Sequence, residues 1–426
     1  MFVIPIEGVR GLLLLVRSSK GACFVGEETS LYKKPFATPR GTAYVTNSMQ
    51  IFAPQETDPQ ETRAALVPEM VGRLVKLGAQ VVVESGLGEK ASWPDKAYTD
   101  VGATIENDRM AGLAAADVVF RVGKPPGPEV DALKKGTIHL SFLDPFNERP
   151  LIERFAGKGI TAVSLEMMPR STLAQKMDAL SSQASLAGYQ AVVLAADRLP
   201  KIFPMMMTPA GTLSPARVFI VGVGVAGLQA IATAGKRLGA RVEAFDTRPI
   251  VETEVKSLGA KFVKIDIGET GQTAQGYAKE LTPEQIEKQR QGMAKVCSRS
   301  DIVITTAKLF GRKAPVIITK EMVAGMSPGS VIVDLAAEGG GNVDGTVLDE
   351  EVITDNGVRI IGIGRLECRV PQHASQMFSA NLTSFVEHFW DEEAKALPPV
   401  DLEDEILKGS VITHGGSIVH ERFKNS

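Results

Sequence analysis

Gly222, Gly224 and Gly227 stand as G-x-G-x-x-G inside the run "VFIVGVGVAGLQAIATAGKRLGARVEAFD", from Val218 to Asp246. Each glycine has its own task in gripping a pyrophosphate. The first permits a tight turn, the second lets the backbone approach the phosphates, and the third lets a helix pack closely on a strand. A helix opening at Val225 and Ala226 aims unbonded N–H groups and its positive dipole end at anionic oxygens. Val225, Leu228 and Ile231 give that helix an apolar face, and Gly239 supplies its stop. Asp246 ends the next strand, "RVEAFD", about 20 residues past the last glycine, where a carboxylate accepts from ribose hydroxyls and repels a 2′-phosphate. The unit predicts a dinucleotide site that favours NAD over NADP. Arg248, two residues on, is a cation able to accommodate a phosphate, and so works against that preference.

These residues need elements to hold them. The 426-residue chain is long enough for two cores, and its 44% apolar and 23% charged residues are those of an ordinary globular protein. A net charge of −3 excludes a broad electrostatic footprint for nucleic acid. Cys23, Cys297 and Cys368 are scattered with no C-x-x-C pair, which argues against a thiolate metal site or a disulfide framework. No apolar run approaches the ~18 residues of a membrane span. Through residue 48 there is no clear period. Met49 is therefore expected as the functional start, with residues 1–48 a disordered extension or a segment upstream of the true start.

From Met49, apolar runs such as "MQIFA", "AQVVVE", "DVVFRV", "TIHLSFL" and "ITAVSLE" alternate with helical text. A second series, "RVFIVG", "RVEAFD", "KFVKID", "DIVITTA", "SVIVDLA" and "VRIIGI", begins at Val218. Such alternation predicts α/β architecture: two Rossmann-like parallel-sheet domains with an interdomain cleft, joined by a long helix over Met177–Leu199. The expected division is 49–180 plus 372–426 for one domain and 181–371 for the nucleotide domain. "FPMMMTPAGTLSPA" reads as a loop with its three methionines filling gaps beneath it. A helix around Ser375–Trp390 and an acidic irregular tail close the chain.

Several longer blocks, among them "MPRSTLAQKMDALSSQASLAGYQAV", "PMMMTPAGT", "VGVGVAGLQAIATA", "AFDTRP", "GYAKEL" and "GSVIVDLA", occur in one order. With them the chain resembles the NAD(H)-binding domain I of proton-translocating transhydrogenase alpha subunits, in the alanine dehydrogenase/transhydrogenase family. The resemblance implies NAD(H) bound here and NADP(H) on a beta subunit. It further implies a homodimer, a transmembrane component that moves protons, and a cytoplasmic position on the inner face of the membrane. It places Arg170, Gln175 and Asp178, with Ser181, at the nicotinamide end. On the residues alone that cluster reads as a helix N-terminus with polar caps. A second arginine usual in this loop is Leu173 here. Gly276 and Tyr277 match a loop that closes over the nucleotide. Ala307 matches a contact after a strand, although Lys308 and Phe310 depart from the pattern beside it.

Hydride passing between two nicotinamide rings needs no general acid or base at carbon. The protein has only to hold the rings near ~3–3.5 Å and exclude water. The sparse set of titratable groups fits that task. The rival is a soluble alanine-dehydrogenase-like enzyme, for which the resemblance sets Arg63 and Lys124 at the substrate carboxylate and Asp144 where a catalytic histidine belongs. A carboxylate there would repel the substrate. A non-enzymatic NAD(H) sensor is the other alternative. His139 reads as a core histidine, and Glu338 and Asn342 as either cleft lining or a tight turn.

Overall fold

The structure is a computed structural model that describes residues 48–268, 281–308 and 311–424. The segment 1–47, the lid residues Gly276 and Tyr277, and Phe310 lie outside these.

The first lobe is built on an eight-stranded sheet. Its strands are β1 (Gln50–Ala53), β2 (Gln80–Glu84), β3 (Thr104–Glu106), β4 (Val118–Phe120), β5 (Ile138–Ser141) and β6 (Thr161–Ser164). A short hairpin, β7 (Met206–Thr208) and β8 (Gly211–Leu213), stands apart from both large sheets. The second lobe carries β9 (Arg217–Val221), β10 (Arg241–Phe245), β11 (Lys261–Phe262), β12 (Ile302–Thr305), β13 (Val331–Asp334), β14 (Glu351–Ile353) and β15 (Arg359–Ile361). The chain then returns to the first lobe with β16 (Val411–His414) and β17 (Ser417–Ile418). The sheet orders are β17-β16-β6-β5-β4-β1-β2-β3 and β11-β10-β9-β12-β13-β15-β14.

Both sheets are parallel through their centres, as continuous apolar runs require when each face is covered. Along β1, Ile51 and Ala53 enter one core and Phe52 the other. Along β9, Val218 and Ile220 face one side while Phe219 and Val221 face the opposite side. Burying each such side chain contributes roughly 1.5–3 kcal/mol, so strand register is strongly specified.

The edges depart from the sequence reading. β14 pairs antiparallel with β15, and β16 pairs antiparallel with both β6 and β17. The segment expected as an irregular tail thus folds back as a helix, Glu405–Ser410, and two strands. "PMMMTPAGTLS" forms the hairpin, and its methionines fill no gap. Met205, Met206 and Met207 are 59%, 45% and 75% exposed.

The long helix spans Ala179–Arg198. It crosses the helix Val225–Ile231 at Gly188, where a Cβ would lie 2.2 Å from the Ala226 carbonyl oxygen. Only glycine permits that approach, and it seats the G-x-G-x-x-G helix directly on the long helix.

Candidate nucleotide-binding site

The turn after β9 follows the division of labour among its glycines. Gly222 has φ +94°, in the left-handed region that favours glycine. Its carbonyl accepts a bond of 3.0 Å from the Thr306 hydroxyl, which ties the turn to the end of β12. A Cβ on Gly227 would lie 2.0 Å from the Gly222 oxygen, so the third glycine is required by helix–strand contact. Gly224 differs: nothing lies within 4 Å of where its Cβ would be. It opens the helix Val225–Ile231 and faces the cleft. Gly239, with φ +76°, follows a widened last turn at Ala232–Arg237.

Asp246 caps this turn from β10. Its Oδ2 accepts from the Val223 amide at 2.8 Å. Its remaining bonds come from Arg248: the amide at 2.8 Å and Nε at 2.9 Å to Oδ1, and Nη2 at 2.7 Å to Oδ2. Arg248 Nη2 also donates to the Val223 carbonyl at 3.1 Å. The bonds to Asp246 raise Arg248 further above the ordinary guanidinium range, against the opposing effect of burial.

The cleft beside this turn has a volume of about 1290 Å³, above the ~300–1,000 Å³ of common ligand pockets. Ala307 lines it, and its amide and carbonyl are both held by Asn342, at 3.0 and 2.9 Å. Asn342 is fully buried and anchored by Asp334, so it pins the loop from within, whereas Glu338 lines the cleft and pairs with Lys308 at 3.4 Å.

The group expected at the ring end is divided. Arg170 and Ser181 line the cleft; Gln175 and Asp178 do not. Asp178 is the N-cap of the long helix, accepting from the Ser181 amide at 2.9 Å and the Ser181 hydroxyl at 2.6 Å. Gln175 is exposed on the short turn Gln175–Met177, which is anchored by buried Ala174 and Met177. Leu173, on the same loop, is 55% exposed.

The first lobe offers the cleft no comparable turn. Beyond β4, the Val122 and Gly123 amides donate to Glu56 at 2.7 and 3.4 Å. Beyond β5, the Leu143 and Asp144 amides donate to Glu166 at 3.1 and 2.8 Å. Burial pushes both carboxyls above the usual carboxylate range. These two glutamates were not anticipated from sequence. Their only signal is a lone acid just past an apolar strand, which is too common to single them out.

The residues of the rival reading are internally matched. Arg63 is 6% exposed and its guanidinium bonds Glu61 at 2.8 and 2.7 Å, Gln183 at 3.0 Å and Glu367 at 3.2 Å. Lys124 pairs with Glu148 and with Asp144. His139 is buried against Phe155, with Nε2 3.1 Å from the Ser141 hydroxyl, and burial lowers its pKa to about 3. Among the described residues no His, Cys, Asp and Glu group is disposed to hold a metal, and no helix is long and apolar enough to cross a membrane.

Comparison with known proteins agrees with this geometry. The family model for the alanine dehydrogenase/PNT N-terminal domain matches residues 52–187, and that for the C-terminal domain matches 191–421. An NAD(P) transhydrogenase subunit alpha chain of Rhodospirillum rubrum is 46% identical over 381 residues, which cover 87% of this chain and 98% of that protein. The NAD(P) transhydrogenase subunit alpha of Haemophilus influenzae is 39% identical over 86% of this chain and 71% of its own length. The alanine dehydrogenase of Mycobacterium tuberculosis is 26% identical over 88% of this chain and 95% of its own. Among solved structures, a transhydrogenase from Sinorhizobium meliloti superposes with a TM-score of 0.75 at 40% identity, covering 88% of this chain and 99% of that one. With family models across both lobes and transhydrogenase relatives at 39–46% identity, the chain belongs to the alanine dehydrogenase/PNT family and, within it, is most like the transhydrogenase alpha subunits.

Proposed function

We propose that this chain is the NAD(H)-binding subunit of a proton-translocating transhydrogenase. It exchanges hydride with NADP(H) held on a beta subunit, while a transmembrane partner carries the protons. The observation that carries the reading is the open space at Gly224, above a helix N-terminus and beside an acid at the end of the next strand. The amides at that N-terminus hold the pyrophosphate, and Asp246 selects an unphosphorylated ribose. The nicotinamide supplies the hydride chemistry when bound. Arg170 and Ser181 orient the ring end from the cleft wall. Asp178 holds Ser181 and the start of the long helix in place. Gln175, exposed outside the cleft, acts from the face that a partner approaches. Gly276 and Tyr277 belong to the closing segment. The subunit works as a homodimer at the inner face of the membrane, with 49–180 plus 372–426 and 181–371 as its two domains.

The ion pairs in the first lobe weigh against amino-acid oxidation. Arg63 and Lys124 already hold internal carboxylates, and Asp144 stands where a near-neutral base would be needed. Calorimetric titration is expected to show one NADH per chain, weak binding of NADPH, and marked loss of NADH affinity in Asp246→Ala. Adding a beta-subunit NADP(H) domain is expected to start hydride exchange. Equal affinity for NADH and NADPH would remove the role of Asp246. NADH binding without exchange would leave a sensor instead.

A further inference from the structure

The acceptor capacity of Asp246 is full. A carboxylate offers about four lone-pair sites, and here the Val223 amide and three Arg248 N–H groups take four bonds, all between 2.7 and 2.9 Å. The Asp246 side chain is 7% exposed and that of Arg248 15%. Water therefore contributes little to either group, and the fork geometry of the guanidinium makes this a strong pairing. An adenosine ribose presents two hydroxyls to the same oxygens. It has no acceptor site there unless Arg248 leaves.

We infer that Arg248 is an internal competitor for the ribose site: its guanidinium holds Asp246 in the nucleotide-free protein and must be displaced for the nucleotide to bind. This rests on the assignment of the ribose to Asp246 made above and adds a specificity device to it. Two uncharged hydroxyl donors replace the Nε–H and Nη2–H bonds, while the Val223 and Arg248 amide bonds stay and keep the turn in shape. A 2′-phosphate has no proton to donate and would face the bare carboxylate. The exchange therefore favours the unphosphorylated ribose. Arg248 lowers affinity for NADH without contributing to the preference against NADPH.

The test is a pair of titrations, NADH and NADPH, on wild type, Arg248→Met and Arg248→Lys, with thermal melts to verify folding. Removing the competitor is expected to tighten NADH by about five-fold, the effect of one partly buried fork pair, and to leave NADPH no tighter. Lysine, which cannot fork, is expected in between. In wild type, NADH is also expected to move the Arg248 Nε–H resonance out of its hydrogen-bonded position. Weaker NADH binding in Arg248→Met, or an unmoved resonance at saturation, would overturn the inference while leaving the nucleotide site standing. If neither wild type nor variant binds NADH, the site assignment fails and the inference fails with it. Binding by the variant alone would support the competitor in its strongest form.

Discussion

Alanine at Gly224 and alanine at Gly227 should fail in opposite ways. At Gly224 the added methyl meets no protein atom within 4 Å, and the backbone (φ −86°, ψ −165°) is extended and open to alanine. Loss of freedom in the unfolded chain then raises stability by about 0.4–1 kcal/mol, so the melting temperature should not fall. That same methyl stands where a phosphate must approach the helix N-terminus. Affinity for NADH is expected to drop at least about ten-fold, equivalent to 1.4 kcal/mol. At Gly227 the methyl would lie 2.0 Å from the Gly222 carbonyl oxygen, against a limit of 3.0 Å that real Cβ atoms observe. The helix must retreat by ~1 Å from its strand, and overpacking of this kind costs about 1–3 kcal/mol. A fall of about 2–4 °C per kcal/mol is expected in melting temperature, with NADH binding reduced as a consequence. Differential scanning fluorimetry and calorimetric titration on the two variants read both quantities. A Gly224→Ala protein that binds NADH as wild type does would refute the claim that this open space receives the nucleotide. A Gly227→Ala protein as stable as wild type would refute the packing argument.

Other perturbations probe the first lobe. His139 is neutral and buried, with its pKa lowered to about 3 by burial and then by the Arg121 charge. The stability it contributes is present above about pH 6.5 and is lost as pH falls toward 3, because the unfolded chain takes up the proton first. Between pH 7 and pH 5 that amounts to about 2 kcal/mol. Glu56 and Glu166, shifted upward, act in the opposite direction over the acid range. The measurement is therefore the difference in urea-unfolding free energy between wild type and His139→Leu, which should shrink by that amount on acidification; a constant difference would show His139 does not titrate this way. Arg63→Met leaves Glu61 buried without its partner and should destabilise by about 3–5 kcal/mol, read by the same urea unfolding. Purified wild type should oxidise alanine with NAD only at background rate; robust turnover would show that the pairing of Arg63 does not block a substrate carboxylate.

The nucleotide turn was legible because its determinants are local. Turn, helix N-terminus, packing glycine and acid all fall between Gly222 and Asp246, and each is fixed by residue type and spacing. The central strands were legible because burial on both faces leaves continuous apolar text. What could not be read depends on distant partners. β16 joins the first sheet beside β6 after the whole second lobe has intervened, and its short run "VITH" shows nothing that predicts antiparallel return. The methionines of the hairpin were misjudged because methionine serves both as core filler and as adaptable surface. Composition cannot choose between these; only the exposure of Met207 does. Arg248 was visible as a cation near Asp246, but its grip on both carboxylate oxygens depends on how the chain turns after β10.

The two lobes are built alike, and their difference at the strand ends is what limits the chemistry. Parallel strands direct free amides toward the cleft at their carboxyl ends, the usual place for a ligand in open α/β sheets. In the first lobe those amides are already bonded: Val122 and Gly123 to Glu56, Leu143 and Asp144 to Glu166. A phosphate arriving there would have to displace a buried carboxylate and would meet its charge if it did not. In the second lobe the equivalent position at Gly224 is open, and the nearest acid is turned to cap Val223. Two similar lobes therefore favour one dinucleotide, not two. A chain that holds one nicotinamide, with its candidate substrate cations Arg63 and Lys124 already matched by its own carboxylates, has no second reactant of its own. On the transhydrogenase reading, the second ring has to be supplied from outside the cleft, and the exposed turn carrying Leu173 and Gln175 is the portion of the proposed ring-end group that faces outward to receive it.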